Sequence, residues 1–381
     1  MNLKKIDERL LGQISALSNE REIECLVYTN DFKHTKSHFQ KRKVHIENEY
    51  LFINAFLCKL NRETLLKLSD LNSVKFVSSL AYANSLMNIS KKILNVEKSR
   101  LSGVGVGIAF IDTGVKPHFD FLIGENRLVF FKDFINNRPN FYDDNGHGTF
   151  VCGVACGNGS ASAFKYAGIA PKANVFALKT LDKNGEASAS KILDAMEWIF
   201  DNAQSRGIKV VCMSFGSEPL GVNDPIMIGA EALWKNGVVV VAAAGNSGPE
   251  FQTIKSPGTS SKIITTGGID DNRIDDNHFD KKFFEIADFS SRGPSFKRTK
   301  PDLVAPSVDI ISCGLKNDYT TLSGTSVATP MVAGLCALLF EKYKNARPDD
   351  IKNLLLKNCK PLGFDKNQEG FGLANFENFV E

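Results

Sequence analysis

Residues 238–246 read VVVVAAAGN. Seven apolar residues in a row, with no polar residue in alternation, describe a strand covered on both faces. Gly245 and Asn246 end it with turn chemistry. The same texture recurs on either side. Apolar strand-like runs VGIAFIDTG (106–114), NVFALKTL (174–181), VVCMSFG (210–216), KIITTGGI (262–269) and DLVAPSVDIIS (302–312) are separated by segments with helical spacing. Those segments are HGTFVCGVACG (147–157), ILDAMEWIFDNA (192–203) and MIGAEALWKN (227–236), and a long helix over about 325–343 and a last one over 349–358 follow. Buried strands alternating with helices predict an α/β domain: a doubly wound, mostly parallel sheet with helices on both faces, from about Gly103 to the C-terminus. In such a sheet the site lies at the strand ends.

The front of the chain has a different rhythm. Residues 1–20 carry Ile6, Leu10, Leu11, Ile14 and Leu17 on one side of a short amphipathic helix. Strands are expected over 22–29, 44–46, 51–59 and 74–78, with a turn at Glu47-Asn48-Glu49 and helices over 31–40 and 62–68. That order, β-α-β-β-α-β, is the ferredoxin-like split unit, a small α+β domain. The polar stretch 88–102 reads as the linker between the two domains.

Bulk properties exclude several partners. The 381 residues carry 46 basic and 43 acidic side chains, a net charge of +3. That balance gives no reason to expect nucleic acid or a membrane surface. No signal peptide and no apolar run of membrane-spanning length is visible, which places the protein in the cytoplasm. The eight cysteines form no metal-ligand spacing, and most sit in apolar runs, as expected of buried reduced thiols.

Four short segments carry chemistry. In IAFIDTG an acid, Asp112, ends an apolar strand, where it needs a partner. In DDNGHGT, His147 stands between two glycines at a helix start. In SGTSVATP, Ser326 opens an apolar helix, and Ser323 and Thr325 are available as caps, leaving Ser326 with its N–H near the positive helix end. In AAAGNSG, Asn246 puts a neutral donor on a rigid strand end, as an oxyanion hole requires. Each alone has an ordinary reading as a turn, cap or surface residue.

Together, in the order Asp, His, Asn, Ser, these segments resemble the subtilisin family of serine proteases. The resemblance runs from about residue 100 to the C-terminus and includes SFG (214–216), SPG (256–258), FSSRGP (289–294), PDLVAPS (301–307) and GFGLAN (370–375). Among subtilisins the chain looks most like the bacterial intracellular kind. The resemblance implies a serine endopeptidase with Asp112, His147 and Ser326 as triad and Asn246 in the oxyanion hole. It implies substrate backbone pairing with Ser214-Phe215-Gly216 and with Gly185-Glu186-Ala187. It also implies that residues 1–86 are an inhibitory propeptide, a zymogen segment cut autocatalytically near Leu86/Met87, and that 87–381 are the catalytic domain. No cofactor is needed for catalysis. Asp120 matches a position that contributes to a structural calcium site in many subtilisins, but 157–168 lacks the usual ligand pattern, so no metal ligand is assigned. The competing expectation is a silent subtilisin-like binding or scaffold protein, which intact Asp112, His147, Ser326 and Asn246 disfavour.

Departures from the family are informative. Phe150 stands where a second histidine is usual, and Val327 where methionine is. Ala187 replaces a common glycine, and Glu186 beside it disfavours acidic substrate residues. Lys255 precedes Ser256-Pro257-Gly258, which borders the primary specificity pocket in the family; its ammonium there favours an acidic side chain before the scissile bond. Cys152, one turn past His147, is expected to couple thiol modification to activity.

Overall fold

The computed structural model describes residues 3–6, 10, 22–79, 89–272 and 280–379. The chain divides into two compact units, Met1–Asn84 and Ser85–Glu381.

In the first unit β1 (Ile23–Thr29), α1 (Phe32–Lys41), β2 (His45–Tyr50), β3 (Ala55–Leu60), α2 (Arg62–Ser69) and β4 (Val74–Ser79) follow one another. The sheet order is β2-β3-β1-β4, antiparallel throughout, as a ferredoxin-like unit demands. Asp31 and Asn61 cap the two helices by accepting the N–H groups of His34 and Thr64. Cys25, Val27, Phe39, Phe56, Leu65 and Val77 form the core. The turn is not at Glu47-Asn48-Glu49. Strand β2 runs through those residues with a register shift at Ile46/Asn48, and the chain reverses at Asn54, which adopts φ 51°. β2 is an edge strand, where charged residues are normal and do not signal a turn. Of the expected N-terminal helix, Leu3–Lys5 form one 3-10 turn, Ile6 bridges to Val77 of β4 and Leu10 is buried in the core of this unit; the rest of it, like the expected cut near Leu86/Met87, lies outside the described residues.

The second unit is α/β. Its strands are β5 (Gly107–Asp112), β6 (Leu128–Asp133), β7 (Asn174–Lys179), β8 (Ile208–Met213), β9 (Val239–Ala243), β10 (Ile264–Asp270), β11 (Glu285–Ile286) and β12 (Leu303–Pro306). They form one sheet ordered β11-β10-β9-β8-β5-β7-β6, with β12 also on β10, and only the two-residue β11 pairs antiparallel. Helices α3 (His147–Cys156), α4 (Ala189–Arg206), α5 (Pro225–Lys235), α6 (Thr325–Lys342) and α7 (Pro348–Lys357) cover it. α3 packs on α6, α6 lies on β8, β9 and β10, and α4 and α5 pack together against β8 and β9. Almost all of α6 is buried, so its apolar residues show no face.

Two expectations needed correction. DLVAPSVDIIS is not one strand: it breaks at Asp309, φ 49°, and β13 (Ile310–Cys313) leaves the sheet to pair with β14 (Tyr319–Leu322). The edge strand β6 went unread, because its half-exposed LVFFKD lacks the all-apolar signature of the central strands.

Strand ends and helix starts meet through glycines. Gly114, φ 109°, follows β5, and a Cβ on it would sit 2.2 Å from the Tyr142 carbonyl oxygen. A Cβ on Gly148, in the first turn of α3, would sit 2.1 Å from the Gly114 carbonyl oxygen. The two backbones touch, and this close approach brings the end of β5 to the start of α3. Gly148→Ala should therefore lower stability by about 2–3 kcal/mol through overpacking, read as the fall in urea midpoint. Gly124→Ala, at φ 84° with nothing within 4 Å, should cost only its backbone strain, about 1–2 kcal/mol. Equal losses would contradict this packing.

Candidate active site

The acid and the imidazole meet at that junction. Asp112, the last residue of β5, is 2% exposed, and its Oδ1 accepts from His147 Nδ1 at 2.8 Å and from the Thr113 N–H at 2.7 Å. Its Oδ2 is buried and has no hydrogen-bond donor among the described residues, so the imidazole carries most of the compensation for the charge. The His147 side chain is 25% exposed, which leaves the ring accessible to a substrate.

A buried carboxylate missed by sequence reading holds this geometry. Asp143 Oδ1 accepts from Thr113 Oγ1 and from the N–H groups of Asn145 and Gly146, while Oδ2 accepts from Thr149 N–H and Oγ1. Thr113 Oγ1 also accepts the Gly148 N–H at 2.8 Å. Fully buried Lys179, at the end of β7, donates to the carbonyls of Thr113 and Leu181 and to Asp144. Strand ends and the turn before His147 are thus one bonded block. Burial pulls the His147 pKa down, but the charge of Asp112, its hydrogen bond and the charge of Asp143 outweigh this, and the pKa stands above its ordinary value.

Ser326 lies in the first turn of α6, half-buried. Neither Ser323 nor Thr325 caps that helix, contrary to expectation: the N-cap is Gly324, without a side-chain cap. Ser323 instead accepts from the Asp309 N–H. Thr325 donates both N–H and Oγ1–H to Asn246 Oδ1, each at 2.9 Å, and accepts the Gly245 N–H at 3.2 Å. These bonds fix the Asn246 amide with Nδ2 on the Ser326 side. Ser326 Oγ and Asn246 Nδ2 lie 3.1 and 3.2 Å from one point, the position of a Cβ on Gly324. A hydroxyl and an amide donor at an uncapped helix start, with an oriented imidazole on the helix packed alongside, are the parts of an acyl-transfer site.

The flanking segments are placed as follows. Ser214-Phe215-Gly216 continues beyond β8, and Ser217 pairs with Ser256 through two 2.9 Å backbone bonds. A Cβ on Gly216 would lie 2.6 Å from Lys255 Cβ, and one on Gly245 2.5 Å from Lys255 Cγ. The Lys255 stem therefore fills the space between these glycines, and its ammonium pairs with Glu218, whose side chain is 80% exposed. At Gly185-Glu186-Ala187 a tight turn uses both the Gly185 and Glu186 N–H groups and the Glu186 carbonyl on Asp182. Among the described residues, Gly185 C=O and both backbone groups of Ala187 have no partner. Asn145, which accepts the His147 N–H, also donates to the Lys183 carbonyl, tying this loop to the histidine turn. Phe150 and Val327 are buried packing residues. Cys152 is fully buried, and burial above all holds its thiol well above the ordinary pKa, which makes it a poor target for modification.

The Asp120 carboxylate is already engaged by protein donors. Calcium takes six to eight bare oxygens, but here Oδ1 accepts the Ala161 N–H and Oδ2 accepts from Tyr319 Oη and Cys313 Sγ. Its carbonyl, with that of Cys156, takes the buried Arg127 guanidinium. The one group of potential ligands among the described residues, His118, Asp120 and Cys313, is a mixed nitrogen, oxygen and sulfur set already bonded internally.

Comparison with known proteins agrees with this geometry. The profile described as the subtilase family matches residues 103–373. Serine protease AprX of Bacillus subtilis is 39% identical over 303 residues, 74% of this chain and 67% of its own. A thermostable alkaline protease of Halalkalibacterium halodurans is 28% identical over 373 residues, 95% and 93% of the two chains. Among solved structures, Sphericase superimposes with TM-score 0.64 at 29% identity, covering 75% of this chain and 96% of that one.

The electrostatics make a prediction independent of activity. In Ser326→Ala protein, an NMR titration of the His147 ring should give a pKa above 6.5, its ordinary value. Asp143→Asn in that background removes a nearby negative charge, so the ring should lose its proton at lower pH. No shift, or an upward one, would contradict the assigned cause.

Proposed function

This chain belongs to the subtilase family, and we propose that its serine endopeptidase activity runs through Ser326, His147, Asp112 and Asn246. The observation that carries this reading is the pair of fixed orientations: Asp112 to His147 Nδ1, and Thr325 to Asn246 Oδ1. With Nδ1–H held by the carboxylate, Nε2 is the free base. It takes the Ser326 proton as Oγ attacks the peptide carbonyl, and returns it to the leaving amine. The developing oxyanion is met by Asn246 Nδ2 and the Ser326 N–H, donors that are already in place. Water then repeats the sequence on the acyl-enzyme. Ser214–Gly216 and the remaining groups of Gly185 and Ala187 would pair with extended substrate backbone.

Residues 1–86 act, in this reading, as folding template and inhibitor, removed by self-cleavage. Two observations support it: the ferredoxin-like unit folds as a compact body of its own, and the alkaline protease match extends across it. Eight free, buried cysteines suit a reducing compartment such as the cytosol, and no helix among the described residues is long and apolar enough to cross a membrane.

Wild-type protein should cleave a peptide substrate and shorten itself to a form beginning near Met87. Ser326→Ala should do neither. Asn246→Ala should lose about 10²–10³ in kcat with KM little changed, the size known for this donor in subtilisin itself. A full-length, fully active wild type would end the propeptide assignment while leaving the triad intact.

For specificity, an acidic side chain before the scissile bond would compete with Glu218 for Lys255. The exposed partner is worth under about 1 kcal/mol, so displacement is easy. In a peptide library, Glu218→Gln should strengthen cleavage after Asp and Glu several-fold, and Lys255→Gly should abolish that preference. Unchanged profiles would remove Lys255 from the specificity site.

A further inference from the structure

We propose that the catalytic unit carries a second binding site, a cavity bounded by Lys91, Arg127 and Lys172, which takes a small carboxylate with an apolar body. The cavity measures about 570 Å³, within the range of small-molecule pockets. It lies between the short helix Ile89–Ile93, the segment 123–127 and the loop 157–172, all within the one compact unit.

Its lining is apolar with excess positive charge. Ile123, Phe164, Ala167 and Pro171 supply the apolar wall, and Glu125 is the one carboxylate against three cations. Large apolar side chains usually avoid water, yet Ile123 is 49% and Phe164 60% exposed here. Lys91 is half-buried, and no carboxylate lies within ion-pair distance of it among the described residues. Burial lowers its pKa, offset in part by Glu97. The Arg127 guanidinium is buried on the main-chain carbonyls of Asp120, Cys156 and Ala173, with the Asp120 and Glu125 carboxylates acting on its charge, so Lys91 and Lys172 are the cations the cavity has to offer.

The wall is also held in a costly shape. Ala163 and Phe164, neither of them glycine, take successive left-handed conformations at φ 50° and 68°. Each is costly and persists only where its surroundings enforce it. Here they do: the Phe164 N–H bonds to the Gly159 carbonyl, Asp120 accepts the N–H groups of Asn158 and Ala161, and the Asn158 amide reaches the Ile123 carbonyl. The strain presents the Phe164 ring at the cavity beside Ile123. One half-buried ammonium next to a hydrocarbon wall matches a monoanion with an apolar tail. Fatty carboxylates and peptides with a free C-terminal carboxylate share that chemistry.

Calorimetric titration of full-length Ser326→Ala protein tests this, with octanoate, acetyl-Ala-Leu and acetyl-Ala-Leu-amide as probes. At least one acid should bind. If the peptide acid binds, it should do so at least tenfold more tightly than its amide. Lys91→Gln should weaken the binding acid about tenfold, and the exposed Lys172→Gln and Phe164→Ala several-fold, with melting temperatures of the unliganded variants unchanged for Lys172→Gln. Octanoate alone binding would identify the lipid source, and the peptide acid alone a proteolytic product. Equal affinity for peptide acid and amide, undiminished binding in both lysine variants, or no heat with either acid at millimolar concentration would overturn the proposal.

Discussion

The contact of two glycine backbones, Gly114 against Gly148, is the constraint on which the site depends. It brings the end of β5 so close to the start of α3 that Asp112 and His147 meet at 2.8 Å. Side chains at either position would force the elements apart. The gap left by two missing side chains is closed by hydrogen bonds: Thr113 links Gly148 to Asp143, and Asp143 gathers five donors, one from Thr113, two from the turn before the histidine and two from Thr149 in the first turn of α3. Buried polar groups are costly unless fully bonded. The network that satisfies them also fixes the ring of the base.

The side of Ser326, the proposed nucleophile, is built by a different device. Helix α6 starts without a side-chain cap on its N-cap residue; of its first N–H groups, that of Thr325 goes to Asn246 Oδ1 and that of Val327 to the Gly324 carbonyl. Thr325, which could have capped it, is turned to Asn246 instead. The helix gives up a stabilising cap, typically worth about 1 kcal/mol, and an oriented amide donor results. On the proposed substrate edge, Gly185 C=O and Ala187 have no backbone partner among the described residues, in a loop whose Gly185 and Glu186 N–H groups and Glu186 carbonyl bond to Asp182.

The central strands and the candidate site residues were singled out in the sequence because each left an unusual local signal: an unbroken apolar run such as VVVVAAAGN, an acid ending a strand, a histidine between glycines. Asp143, Lys179 and Thr325 were not. Their roles depend on partners 30 or more residues away, as with Asp143 to Thr113 or Thr325 to Asn246, and nothing in their neighbours marks them. β6 and β2 were misread for the related reason that edge strands mix polar and apolar residues. At Asp120, the position that resembles a calcium ligand of subtilisins, the sequence could not show that Ala161, Tyr319 and Cys313 donate to the carboxylate.

The central claim is the proposal that Ser326 alone among the serines is activated, with His147 as its base. Wild-type protein treated with an aryl phosphonate fluoride and examined by intact mass and peptide mapping tests it directly. One adduct per chain, on Ser326, lost when His147 is replaced by alanine, is the predicted result. An adduct on another serine, or labelling of Ser326 that survives loss of His147 undiminished, would contradict the account.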